Sequence, residues 1–286
     1  MSDILKPTGY FSSGILEQFF PDESKQTAFK LPWSKMGGLS FEPNALSIWT
    51  GFNGHGKSLF LGQVMLSAMT GGERIAIASF EMPAKKTAYR MIRQATGEKE
   101  PDTFKIGACV EFMDKRMWIY DKLGTVNVKE MLAVFKDGID RIGISQIVID
   151  SLMKCGIDVD DLNAQKRFVD SLQNFAQKNA CHIHLVAHAR KDRDENQVPG
   201  KMDIKGAGEI SDMADNVFSV WRNKPKERKL AEGIVMDATK EYDAVVECSK
   251  CREDGEQEKR YGFYYHIPGM QYLESPYAEP FRYLFD

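Results

Sequence analysis

Gly51, Gly56, Lys57 and Ser58 stand in the order G-x-x-x-x-G-K-S, directly after the apolar run ALSIWT. That order is the phosphate-binding loop pattern. The glycines let the backbone wrap closely round an anion and turn its N–H groups inward. The helix that follows adds the positive end of its dipole. Lys57 is expected to reach the β- and γ-phosphates of a nucleotide, and the Ser58 hydroxyl to ligate Mg²⁺. Asn53, Gly54, His55 and Leu59 complete the expected nucleotide-binding stretch. The competing reading is a chance match in a glycine-containing turn. The flanks argue against it, because residues 45–50 read as a short buried strand and 58–70 as a helix.

Further chemistry is expected where strands end. SFEMP brings Glu81 out immediately after a buried strand. A carboxylate there can orient the water that attacks a γ-phosphate, or take its proton. On position alone, a helix N-terminal acid before Pro83 is an equal reading. IVID ends in Asp150, placed to hold Mg²⁺ directly or through water. HIHLVAH ends in His188, better placed to feel a γ-phosphate than His182 and His184 within the strand. Those three histidines, at i, i+2 and i+6 on one strand, do not converge as a tetrahedral zinc set. Arg190, Lys191, Arg193, Lys201 and Lys205 follow in a long polar segment suited to phosphate-backbone contact. In isolation their charge marks a solvated loop. Lys250 and Arg252 alternate at the end of a late strand and are expected to project from one face. They read either as exposed surface charges or as a cation pair for a γ-phosphate, in their own subunit or a neighbour's.

The elements that must position these groups alternate. Strands are expected over 45–50, 74–80, 117–121, 145–151 and 181–188, with helices over 58–70, 83–97, 128–143 and 162–180. Continuous apolar strands alternating with helices predict a mainly parallel sheet covered on both faces, with ligands at the carboxyl ends of the strands. Residues 216–222, 244–250 and 261–267 read as antiparallel strands without intervening helices.

At 286 residues and 43% hydrophobic, the chain can bury a sizeable core, and no linker or repeat divides it. No run of about 18 apolar residues predicts a membrane span, and the N-terminus lacks a secretory pattern. Five scattered cysteines fit reduced thiols in a cytosol-like, cytoplasmic compartment. Cys248 and Cys251 form a lone C-x-x-C, read as two partly buried strand thiols. With 38 basic against 41 acidic residues, any nucleic-acid contact must come from a local cluster.

Taken together, the chain resembles the RecA-type motor domain of the DnaB-like, ring-shaped replicative helicases, and is similar to Twinkle and the helicase part of bacteriophage primase–helicases. The resemblance runs from about Leu31 to Tyr272. It is carried by the lead-in LPWSKMGGLSFEPNALSIWTGFNGHGKS and by ASFEMP, IVIDSL, HLVAHARK, IKGAGEISDMADNVFSVWR and SKCREDG. It implies an α/β RecA-like P-loop NTPase fold, with a mainly parallel central sheet flanked by helices and antiparallel strands on the C-terminal side. It also implies Mg²⁺ with ATP or a dNTP, single-stranded DNA as track, and a homo-oligomeric ring, a hexamer, that unwinds duplex in the 5′-to-3′ direction. Glu81 becomes the catalytic carboxylate, and Lys250 and Arg252 the finger. Gly206 to Asp215 depart from the family stretch G-S-x-x-x-x-Q-x-A-D-x-V, since Ser211 or Asp212 stands near the expected glutamine. Residues 1–30 read as an N-terminal segment, 31–272 as the motor and 273–286 as a tail. SSGILEQFF is either a linker helix docking on the adjacent subunit or a helix packing on its own domain. The resemblance implies a helicase without its primase, or with a primase on another chain. The tail, with Phe285, either contacts a replicative polymerase or folds back on its own core. The competing functions are a recombinase-like, ATP-dependent filament protein on single strands and a nucleotide-regulated replication loader or scaffold.

Overall fold

The computed structural model describes residues 6–20, 29–157, 161–189, 194–200, 203, 208–234, 237–252 and 258–285. Six strands run parallel: β1 (Ala45–Thr50), β2 (Ile75–Ser79), β3 (Met117–Ile119), β4 (Gln146–Asp150), β5 (His182–Val186) and β6 (Asn216–Arg222). β7 (Ala244–Cys251), β8 (Lys259–His266) and β9 (Gln271–Leu273) extend the sheet antiparallel. Among the described residues the order is β3-β2-β4-β5-β1-β6-β7-β8-β9. Every residue of β1 and β2 is buried, as strands covered on both faces require. Leu46 and Ile48 point into one core with Ile147, Ile149, Phe168 and Leu172, whereas Trp49 points into the other with Trp33, Phe60 and Phe218.

Helix ends follow local chemistry. α2 (Lys57–Thr70) is buried nearly all round and begins at Gly56, whose φ of 89° suits glycine. α3 (Ala84–Thr96) starts after Pro83 and ends on Gly97 at φ 72°. The Asn127 side chain caps α5 (Val128–Ile142) by accepting N–H bonds from Lys129 and Glu130. The Asp161 carboxylate accepts from Ala164 N–H at the start of α6 (Leu162–Asn179).

Three helices lie where none was expected. α4 (Thr103–Asp114) is capped by Asp102, which accepts from Lys105 N–H at 2.8 Å. Its apolar residues fall on both faces, Cys109 and Met113 inward, Phe104 and Val110 outward, so no helical period shows in the sequence. α8 (Lys224–Ala231) separates β6 from β7, correcting the expectation of strands without helices between them. It carries almost no apolar stripe. Asn223 caps it, and the buried Lys226 ammonium lies 2.7 Å from Asp243 Oδ1 and 2.6 Å from Glu241 O. A short α7 (Gly208–Met213) precedes β6.

His182 and His184 face the interior rather than solvent. His182 Nε2 lies 2.8 Å from Ser47 Oγ and its Nδ1 2.6 Å from Glu42 O. The Trp49 indole donates to His184 Nδ1 at 3.1 Å, and His184 Nε2 lies 3.0 Å from Gln146 Oε1. Burial drives the His182 imidazole down to about 4 and His184 well below its usual range, so both are neutral structural links between strands. Cys248 and Cys251 are both buried in β7, which carries a register shift opposite Val217/Phe218.

Candidate nucleotide-hydrolysis site

The carboxyl ends of β1, β5, β4 and β2 are consecutive in the sheet and share one cavity of about 760 Å³. After β1, residues Asn53, Gly54, Gly56, Lys57, Ser58 and Leu59 line it. After β2 come Glu81 and Pro83, after β4 Asp150 and after β5 His188. Four separate sequence motifs are thus brought together.

Lys57 is buried, and its ammonium donates to the carbonyls of Gly51 (2.9 Å) and Phe52 (3.0 Å). Burial drives its pKa down to about 8, against the pull of Asp150 and Glu81. The Ser58 hydroxyl donates to Asp150 Oδ2 at 2.5 Å. Burial pushes the Asp150 carboxyl up, opposed by that hydrogen bond and by the charges of Lys57 and Arg90. A hydroxyl and a carboxylate side by side are hard oxygen donors, the set that suits a magnesium ion sharing its shell with phosphate oxygens and water. Glu81 is exposed to the cavity. His188 Nε2 lies 3.3 Å from Ser151 Oγ.

The loop is tightly backed. A Cβ on Gly51 would come within 2.3 Å of Val220 O, and one on Gly56 within 2.0 Å of the Tyr272 hydroxyl. The His55 side chain turns away from the cavity. Its Nδ1 accepts from Arg222 N–H at 3.1 Å and its ring packs on Phe52. Burial holds it neutral, down to about 4.

Lys250 and Arg252 do project to one side, as their spacing predicted, but neither lines the cavity. The Lys250 ammonium donates to Asp212 O at 2.7 Å, and the Arg252 guanidinium lies 2.9 Å from Asp215 Oδ1. Asp215 Oδ2 also accepts Leu46 N–H at 2.9 Å, which ties Arg252 to the start of β1. Arg190, Lys191, Arg193, Lys201 and Lys205 lie outside the described residues.

Lys86, Arg90 and Lys154 also line the cavity and were not singled out from the sequence. A signal existed for two of them: positions 86 and 90 share a face of the helix that opens directly after Glu81.

A loop of this form on a parallel strand, with carboxylates at the ends of β4 and β2 in the same sheet, defines an NTP-hydrolysing enzyme of RecA-like fold. The chain belongs to the AAA domain family, whose model matches residues 33–194. Among solved structures it is similar to an isolated ATPase domain, with TM-score 0.74 and 13% identity over 92% of this chain and 98% of that one. It is equally similar to a DnaB-like replicative helicase studied for its interactions with primase, with TM-score 0.74 and 13% identity over 94% of this chain and 71% of that one. The fold is therefore the one shared by replicative-helicase ATPase domains, as the sequence resemblance implied. No helix among the described residues is long and apolar enough to cross a membrane.

Proposed function

We propose that the protein is an NTP-driven replicative DNA helicase that translocates 5′-to-3′ on single-stranded DNA as a hexameric ring, with residues 31–272 as its motor. The observation that carries this reading is the convergence of the phosphate loop, Glu81, Asp150 and His188 on one cavity, while Lys250 and Arg252 sit outside it. A site with binding, water and metal groups in one chain and the Lys250–Arg252 pair outside it suits completion by a neighbouring subunit.

In this mechanism Lys57 exchanges its loop carbonyls for phosphate oxygens. Ser58 and Asp150 hold Mg²⁺, which when bound neutralises phosphate charge. Glu81 orients water and accepts its proton, and His188 couples the strand end to the segment beyond it. Arg252, with Lys250, reaches the γ-phosphate of the next subunit's nucleotide. Arg190, Lys191, Arg193, Lys201 and Lys205 grip the DNA backbone. The exposed apolar residues Leu16, Phe19 and Phe20 of α1 (Ser12–Phe19) and the residue after it dock on the adjacent subunit. By analogy with the DnaB-like relative, a primase is a partner chain.

The test mixes two inactive variants. Glu81→Gln should lower turnover ~10²–10⁴-fold, and Arg252→Ala ~10³–10⁵-fold, each with nucleotide still bound. If the finger acts across an interface, mixed rings regain hydrolysis and unwind a forked duplex. Rings inactive at every mixing ratio, even in a single-site assay, overturn the trans arrangement. Nucleotide-dependent filaments without unwinding would replace the helicase with the recombinase-like reading, and assembly without either would leave a loader or scaffold.

A further inference from the structure

The nucleotide cavity holds more positive charge than its motifs account for. Lys86 and Arg90 stand one turn apart on α3, and Lys154 ends the 3-10 turn Leu152–Lys154 after β4. Their backbones are fixed. Lys86 N–H donates to Pro83 O at 2.8 Å, Lys154 N–H donates to Ser151 O at 3.0 Å, and Lys154 O accepts from Val126 N–H at 3.1 Å. The side chains line the cavity beside Glu81 and Asp150, on the β2 and β4 side.

The phosphate loop leaves β1, and β2 lies three strands away across β5 and β4. At about 4.8 Å per strand, the row of strand ends spans roughly 14 Å. A nucleotide whose β-phosphate rests in the loop therefore directs its γ-phosphate towards β4 and β2. Charge balance points the same way. A triphosphate carries about four negative charges and a divalent ion returns about two. Glu81 and Asp150 add two more, and Lys57 offsets only one. Lys86, Arg90 and Lys154 bring the loaded cavity to neutrality without help from another subunit. Unbalanced like charge at these distances is costly in a partly buried site, where water screens it poorly.

We propose that Lys86, Arg90 and Lys154 form a phosphate subsite in cis that receives the γ-phosphate end of the nucleotide. This rests on the nucleotide-site reading above and adds to it. The neighbour's arginine then acts on a γ-phosphate already held, and the subsite separates triphosphate from diphosphate within one chain. Lys154 also ties that distinction to the segment between β4 and α6, so the occupied and empty states differ at the end of β4.

The experiment measures binding to the full chain of a diphosphate nucleotide and of a non-hydrolysable triphosphate analogue, with inorganic phosphate as a competitor at saturating diphosphate. The Lys86→Ala/Lys154→Ala variant should bind the diphosphate within about twofold of the unaltered chain, yet bind the triphosphate at least ~10-fold more weakly, the size of one lost charged hydrogen bond. The Lys86→Arg/Lys154→Arg variant should restore the discrimination. Inorganic phosphate should affect the unaltered chain and not the alanine variant, and an equal effect on both counts against the subsite. Equal weakening of both nucleotides, or of neither, overturns the subsite. An unaltered chain that binds neither nucleotide overturns the nucleotide site itself.

Discussion

The Lys57 ammonium is buried against loop carbonyls and loses its proton at about pH 8, well below an ordinary lysine. A phosphate beside it favours the charged form. The bound state therefore keeps the proton to higher pH than the free state. Just below about pH 8 the lysine is charged in both states and contributes no pH dependence. Above it, binding must take up a proton, and nucleotide affinity should fall by up to ~10-fold per pH unit. Titrating a fluorescent diphosphate on both sides of that pH checks this. An affinity unchanged well above pH 8 would place the lysine away from phosphate. The residue types at this site were legible because a phosphate loop needs glycines and a lysine at fixed separations along the chain. Lys154 was not, since a surface lysine carries no mark of what it faces.

At the scale of elements, the Gln271 side chain makes three of the hydrogen bonds that hold the tail. The Gln271 amide donates to Gln94 O at 2.6 Å and Phe281 O at 2.8 Å, and its carbonyl accepts Phe281 N–H at 2.8 Å. Tyr283 N–H donates to Ala95 O at 3.0 Å, and Phe281, Tyr283, Leu284 and Phe285 pack on the core around α2 and α3. The reading in which the tail folds back on its own core thus matches the packing. Gln271→Ala leaves three partner groups without their bonds and should cost about 2–4 kcal/mol. Denaturant unfolding measures the loss, and hydrogen exchange should show the Tyr283 amide losing protection first. An unchanged midpoint would mean the tail contributes nothing to the core. Strands β1, β2, β4 and β5 could be read from the sequence as short apolar runs, because strands covered on both faces admit little else. α4 and α8 could not. They are set by caps at Asp102 and Asn223 and by contacts distant in sequence, not by a periodic stripe.

At the scale of the molecule, α1 leaves Leu16, Phe19 and Phe20 exposed, the last two at 76%. A helix that covers none of its own core with these side chains suits burial in a second copy. Leu16→Ser with Phe19→Ser should leave the unfolding midpoint of the single chain within about 0.5 kcal/mol, as changes at exposed sites do. On the proposed ring mechanism it should abolish nucleotide-dependent assembly and, with it, hydrolysis. Light scattering with nucleotide present reads the assembly. Rings of normal mass from this variant would leave α1 as a helix with no part in assembly.

The sequence by itself determined the chemistry available and the order in which it is delivered: a phosphate loop, then Glu81, Asp150 and His188, each at the end of an apolar strand. Such features are local, since loop conformation, strand burial and the residue after the strand are decided within a few positions. Only the tertiary structure decided which strand ends are neighbours. The order β2-β4-β5-β1 is not the order of the chain, and it is what sets Asp150 against Ser58 across 92 positions. It likewise decided that His55 faces Arg222 rather than the cavity. It holds Arg252 on Asp215, outside the cavity, and lines that cavity with Lys86, Arg90 and Lys154. Side-chain direction and strand adjacency follow from packing the whole sheet at once, and no short stretch of sequence contains them.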